Sequence, residues 1–251
     1  MRLVNRHKIT MEAQIETTRP HAGEIGALLR GNAETLYAWN ASADARRLAL
    51  QTAIIIAGSG GYGAAMGWWR APEQALFTAV KFPLIILLTT LGNALINGML
   101  APLLGLNIPF RQSFSEVVMS FAITSAIFGA FSPLIAFMVW NLPPMTSGGA
   151  STTAYNFMLL THVLVIALAG TTGNVRLLQL LRKQAGGRAT ALRVLGAWLA
   201  GNFFLGTQLS WILRPFIGSP NLPLAFLRPD AFHGNFFEAV LNAAHRIFHF
   251  S

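Results

Sequence analysis

From about residue 49 onward the chain sets long apolar runs against short polar connections, and it does so five times. Each run reaches or exceeds the roughly 20 residues that an α-helix needs to cross a bilayer. The runs cover about 49–69, 75–104, 113–140, 155–180 and 190–213. Pro83 lies inside the second and Pro133 inside the third. Each proline removes a backbone donor and crowds the preceding turn, so both helices are expected to kink. The pattern predicts an all-α, polytopic membrane helix bundle of five transmembrane helices.

Two flanking stretches show a different pattern. Residues 24–37, "EIGALLRGNAETLY", gather Ile25, Leu28, Leu29, Leu36 and Tyr37 near one helical face. Residues 236–250 do so more cleanly, with Phe236, Phe237, Val240, Leu241, Ala244, Ile247 and Phe248 in one stripe and Asn235 as a natural N-cap. Each stretch predicts an amphipathic helix lying at the membrane interface or against the bundle. The chain thus divides into an N-terminal segment (1–48), the five-helix bundle (49–213), and a proline-rich cap loop with its C-terminal helix (214–251).

Composition agrees. Only 11% of the 251 residues are charged and 53% are hydrophobic, against roughly 25% charged in a soluble domain. Too little polar side chain is present to coat a soluble particle, and lipid removes the need for it. The net charge of +9 does not point to nucleic acid, because the basic residues flank the apolar runs. Arg46 and Arg47 precede the first, Arg111 lies between the second and third, and Arg182, Lys183 and Arg188 lie between the fourth and fifth. The connection from third to fourth carries none. This positive-inside bias places the N-terminus in the cytoplasm and, with five crossings, the C-terminus outside. The first run begins too far in for a secretory signal peptide, and Met11 is an alternative start.

Polar groups inside the apolar runs are costly and need a reason. Lys81 snorkels its flexible stem to the interface, meets an anionic headgroup or substrate, or pairs with a carboxylate. Glu116, one turn into the third run, caps the helix start or pairs with Arg111. Asn93 and Asn97 share a face with Thr89 and suit hydrogen bonds between helices or a polar conduit that Lys81 could join; His162 stands alone in the fourth run as a buried imidazole bonded to a neighbour. Ser59, Gly63 and Gly67 follow one another at intervals of four in the first run, a spacing that lets helix backbones approach closely. No catalytic constellation is found. The "AGSG" at 57–60 is a degenerate match to the serine motif of rhomboid-type proteases, and no phosphate loop, paired acids or metal-ligand spacing occurs. Without cysteine, disulfides and thiolate chemistry are excluded. No metal or cofactor is expected.

The stretches "ALFTAVKFPLIILLTTLGNALINGML", "SAIFGAFSPLIAF", "AYNFMLLTHVLVIALAG" and "QLSWILRPFIGSP" resemble a family of small bacterial five-span membrane proteins, similar in layout to Yip1-like proteins. The likeness covers roughly residues 60–240 and centres on Ala79, Lys81, Pro83, Pro133, Tyr155, Gln208 and the Arg214–Pro220 run. It implies a bacterial inner-membrane location and, by analogy, membrane organisation or partner recruitment. Gln208 joins Asn93, Asn97 and His162 as an expected inter-helix polar contact.

The leading functional expectation is a membrane scaffold or accessory subunit that binds membrane-protein partners, further copies of itself, or lipids. The alternative is a small transporter, channel or lipid-handling protein. Residues 211–240 carry the most specific expectation. Trp211 anchors the end of the fifth helix at the interface, Pro215 stops it, and an apolar loop folds back over the bundle. Arg214 and Arg228 stand there, with Lys81, as candidate contacts to lipid or partner, and Arg228 is within reach of Asp230.

Overall fold

The computed structural model describes residues 45–145, 152–218 and 223–248. The amphipathic stretch expected at 24–37 lies outside them. Among the described residues six helices form: α1 (Ala45–Trp68), α2 (Pro72–Leu103), α3 (Phe110–Asn141), α4 (Thr152–Gln184), α5 (Arg188–Leu213) and α6 (Phe236–Phe248).

Their limits follow local chemistry. Pro72 opens α2, where its missing N–H would have had no partner anyway. Gly105 (φ +88°) closes it. There Leu106 N donates to Ala101 O at 2.9 Å and Gly105 N to Pro102 O at 3.0 Å, a Schellman turn with Leu106 buried over Ala101. Arg182 and Lys183 occupy the last turn of α4, where cations suit the helix dipole. Arg214 is extended because Pro215 follows it, and α5 stops at Leu213. Pro83 and Pro133 both sit inside unbroken helices.

α1 lies between α2 and α3, and its small residues explain how closely. A Cβ at Gly58 would strike the Ser125 carbonyl of α3. One at Gly63 or Gly67 would strike the Thr78 or Gln74 carbonyl of α2. The neighbour served by Gly63 and Gly67 of the small-residue spacing is therefore α2 of the same chain, while Gly58 admits α3. α4 packs on α3, and α5 runs antiparallel to α2. Among the described residues two large apolar clusters result, with a small third one of Met119, Ile123 and Leu180 between α3 and α4. One surrounds Tyr62, Phe128, Ile135 and Met158. The other, at the opposite end, holds Ala101, Leu106, Leu177, Leu181, Val194 and Trp198.

The distribution of side chains is inverted relative to a water-soluble protein. Gln51, Thr78, Asn93, Asn97, Ser125 and Glu116 are buried, while Leu88, Leu95, Phe137, Leu160, Leu164 and Phe203 lie on the outside. Such an exterior is stable only in an apolar solvent.

Four of the helices, α1 to α4, are long and apolar enough to cross a membrane, and not the expected five. α5 falls short because Asn202, Thr207, Gln208 and Ser210 interrupt its apolar run. It keeps an apolar outer side in Leu199, Phe203 and Phe204. It also matches α2 in height: Trp198 packs near Ala101 and Leu106, Asn202 meets Asn93, and Pro215 reaches Gln74. The α1–α2 turn, the segment after α3 (Trp69 Nε1 donates to Pro143 O at 3.0 Å) and the segment after α5 therefore share one end of the bundle, the cap end.

Candidate functional site

The residues after α5 are fastened to the start of α2. Gln74 Nε2 donates to the Pro215 carbonyl at 3.1 Å and the Phe216 carbonyl at 3.0 Å. Thr78 Oγ1 lies 2.8 Å from the Phe216 carbonyl. These carbonyls belong to an irregular segment with no ladder of its own, so α2 supplies the donors that lipid cannot.

Lys81 completes this row, one turn after Thr78. Its side chain does not snorkel to the interface: the residue is 0% exposed, Nζ donates to Pro215 O at 3.2 Å, and it lies 5.2 Å from the centroid of Phe226. Arg228 follows Phe226 by two residues, so a second cation stands on the same stretch of the cap. Neither cation forms an ion pair among the described residues.

Asp230, expected within reach of Arg228, pairs instead with Arg214 at 3.1 Å. Arg214 also donates to the Trp211 carbonyl and stacks 3.8 Å from the Trp211 ring centroid. Trp211 Nε1 donates to His233 O at 3.4 Å. Arg214 thus reads as a latch across the two turns of the cap, because its fork satisfies an orphan helix-end carbonyl and a carboxylate at once. Gly234 (φ +66°) and Asn235 then start α6, with Asn235 Oδ1 accepting from Glu238 N at 2.8 Å as an N-cap should. Phe236 and Phe237 dock on Phe203 and Phe204 of α5, while Val240 and Leu241 face outward.

Beneath the cap lies a cavity of about 680 Å³. α4 and α5 touch near their hairpin, through Leu177, Leu181, Val194 and Leu195. At the cap end the cavity lies between Leu159, Val163 and Ile166 of α4 and Ser210 of α5, with Phe82 and Ile85 behind and Phe216 and Ile217 above. Its polar lining comes mainly from His162, Ser210, Arg214 and Arg228. His162 Nδ1 and Tyr62 Oη share a hydrogen bond of 2.7 Å, which fixes the ring; Nε2 has no partner among the described residues. Tyr62 escaped sequence reasoning, since a hundred residues separate it from His162 and it sits in a run of glycines.

The other expected polar residues lie away from this cavity. Asn93 Nδ2 donates to Asn202 Oδ1 at 2.6 Å, tying α2 to α5. Asn97 is buried one turn further along. Gln208 makes no hydrogen bond among the described residues, and Asn202 takes the inter-helix role expected of it. Glu116 is buried and accepts from Gln112 and Gln184, so α4 supplies a partner that sequence proximity did not suggest. Ser59 Oγ donates back to Ile55 O of its own helix at 2.5 Å. With His162 held by Tyr62, the two do not form a nucleophile–base pair.

The site can therefore hold an elongated apolar group, entered from the side between α4 and α5, with guanidinium groups at one end. No protein-family model, curated protein or solved structure matches this chain.

Proposed function

We propose that the protein is a lipid-handling membrane protein that holds an amphiphile in the cap-end cavity. One observation carries this reading: an apolar cavity of about 680 Å³, within the usual range for ligand pockets, opens toward lipid and carries Arg214 and Arg228 on its wall. The half-exposed Leu159, Val163 and Ile166 give a chain a lateral way in from the bilayer. A conduit along Lys81, Asn93 and Asn97 has no such support, since all three are buried and none lines the cavity. The charge pattern supports an orientation with the end bearing Arg46, Arg47, Arg111, Arg182, Lys183 and Arg188 in the cytoplasm and the cap outside. The bacterial inner membrane is the setting that the sequence likeness favours.

Native mass spectrometry of the protein released gently from its membrane tests the reading. The wild type retains a bound amphiphile. Ser210→Trp, which fills the cavity from α5, reduces the retained amount several-fold at unchanged thermal stability. Absence of any bound amphiphile, or equal retention by both proteins, overturns it.

The scaffold reading keeps one observation of its own. A small-floored apolar groove of about 330 Å³ runs between α1 and α3, lined by Gly61, Ala64, Ser132 and Ala136 with Trp68 and Trp140 at its rim. Small residues of this kind admit a neighbouring helix, and recovery of a stoichiometric membrane partner from native membrane would favour that role.

A further inference from the structure

Among the described residues at the cap end, Arg70, Lys81, Arg214 and Arg228 stand against the carboxylates of Glu73, Asp230 and Glu238. Arg214 has Asp230. Glu238, in the first turn of α6, forms no ion pair among the described residues, and its carboxylate lies beside Gly234. Lys81, which meets Phe226, and Arg228, two residues beyond it, have no carboxylate partner among the described residues. Lys81 is 0% exposed, held by one carbonyl and one aromatic face. The buried Lys81 ammonium loses hydration that a carbonyl dipole only partly replaces, and a second cation on the same stretch of the cap adds to that cost. A protein tolerates that arrangement where an anion completes it.

The shape limits the anion. Arg228 lines the cavity, whereas Lys81 stands behind Pro215 and acts on the cavity through its field. Any headgroup must therefore lie against Arg228, with its chain running down between α4 and α5. The cavity of about 680 Å³ is large enough for an acyl chain. A second chain would lie in the bilayer through the lateral opening.

The charge limits it further. A phosphodiester or carboxylate brings one negative charge and leaves one cation uncompensated. A phosphate monoester brings about −1.5 to −2 and three acceptor oxygens, which matches Lys81 and Arg228 together. Building on the lipid-handling reading, we infer that the occupant is a lipid with a terminal phosphate monoester, gripped by the Arg228 guanidinium within the field of Lys81. Arg214 is committed to Asp230 and Trp211, and it frames the headgroup without being its main ligand.

The test measures binding of phosphatidic acid, phosphatidylglycerol and diacylglycerol with matched chains to the detergent-solubilised protein by native mass spectrometry. Phosphatidic acid is expected to bind about tenfold more tightly than phosphatidylglycerol. Arg228→Gln is expected to remove that preference, and Arg228→Lys to retain most of it, with equal melting temperatures excluding a folding defect. Glycerol 3-phosphate, the same headgroup without chains, is expected to compete only at far higher concentration. Equal affinity for phosphatidic acid and phosphatidylglycerol, or a preference unchanged in Arg228→Gln, overturns the headgroup assignment. If diacylglycerol binds as well as phosphatidic acid, the cavity still takes lipid and only the phosphate assignment fails. If none of the three binds, or if glycerol 3-phosphate competes as well as the lipid, the lipid-handling reading fails with it.

Discussion

Lys81 is the residue at which structure and stability part company. Its ammonium is buried with one carbonyl partner, Pro215 O, and that carbonyl also accepts from Gln74 Nε2. Replacing the lysine by methionine keeps the stem's volume and removes the buried charge, while the Pro215 carbonyl keeps a donor. Exchanging a buried ion for an apolar side chain of similar volume is commonly neutral or stabilising by about 1–4 kcal/mol. Lys81→Met should therefore melt at the same temperature as the wild type or above it, and bind phosphatidic acid several-fold more weakly. Thermal denaturation and lipid titration on one preparation check both halves. A clear fall in melting temperature would make Lys81 a structural clasp for the cap instead of a charge held for a ligand.

The cap between α5 and α6 is an element without regular structure, and its order comes from side chains at its base. Arg214 contributes a bond to the Trp211 carbonyl, a stacked face on Trp211 and a pair with Asp230. The Asp230 side chain is 60% exposed, so that pair adds ~0–1 kcal/mol. Stacking and the helix-end bond supply the greater share, about 0.5–2 kcal/mol from the cation–π contact. Arg214→Ala should lower stability by about 2 kcal/mol, and Asp230→Ala by under ~1 kcal/mol, with membrane insertion unchanged in both. Matched chemical-denaturation curves check the ordering, and an equal or larger loss in Asp230→Ala would contradict the latch. The boundaries of this element were legible in the sequence, because Pro215 must end α5 and Gly234-Asn235 must start α6. Its partners were not. Arg228 lies two residues from Asp230 and Arg214 sixteen, so nearness along the chain favours Arg228 and only the fold of the turn selects Arg214. The carbonyls bound by Gln74 and Thr78 lie well over a hundred residues away, a distance across which no periodicity speaks.

At the scale of the whole molecule, the apolar runs and their order were readable because lipid demands continuous apolar length, and α1 to α4 meet that demand. α5 shows where such reading breaks. A hydropathy average mixes the face toward α2, where Asn202 bonds Asn93, with the face that carries Leu199, Phe203 and Phe204 outward. A helix that packs polar residues inward thus scores as less apolar than the surface it presents. The structure replaces the average with a geometric statement: residues 70, 141 and 233 share the cap end, because Trp69 bonds Pro143 and the start of α2 bonds Pro215 and Phe216. The chain has no native cysteine, so single cysteines can be introduced at Asn141, His233 and Gly187 without background. A membrane-impermeant maleimide added to intact cells should label Asn141→Cys and His233→Cys together, and Gly187→Cys only after the membrane is opened. Labelling of 141 and 233 from opposite sides would show that α5 does not run the height of the bundle. Labelling of 187 from outside, with 141 and 233 protected, would preserve the bundle but reverse its orientation and put the cap and its cavity in the cytoplasmic leaflet. The two failures separate cleanly, since one concerns how α5 packs and the other how the charges at the two ends were sorted during insertion.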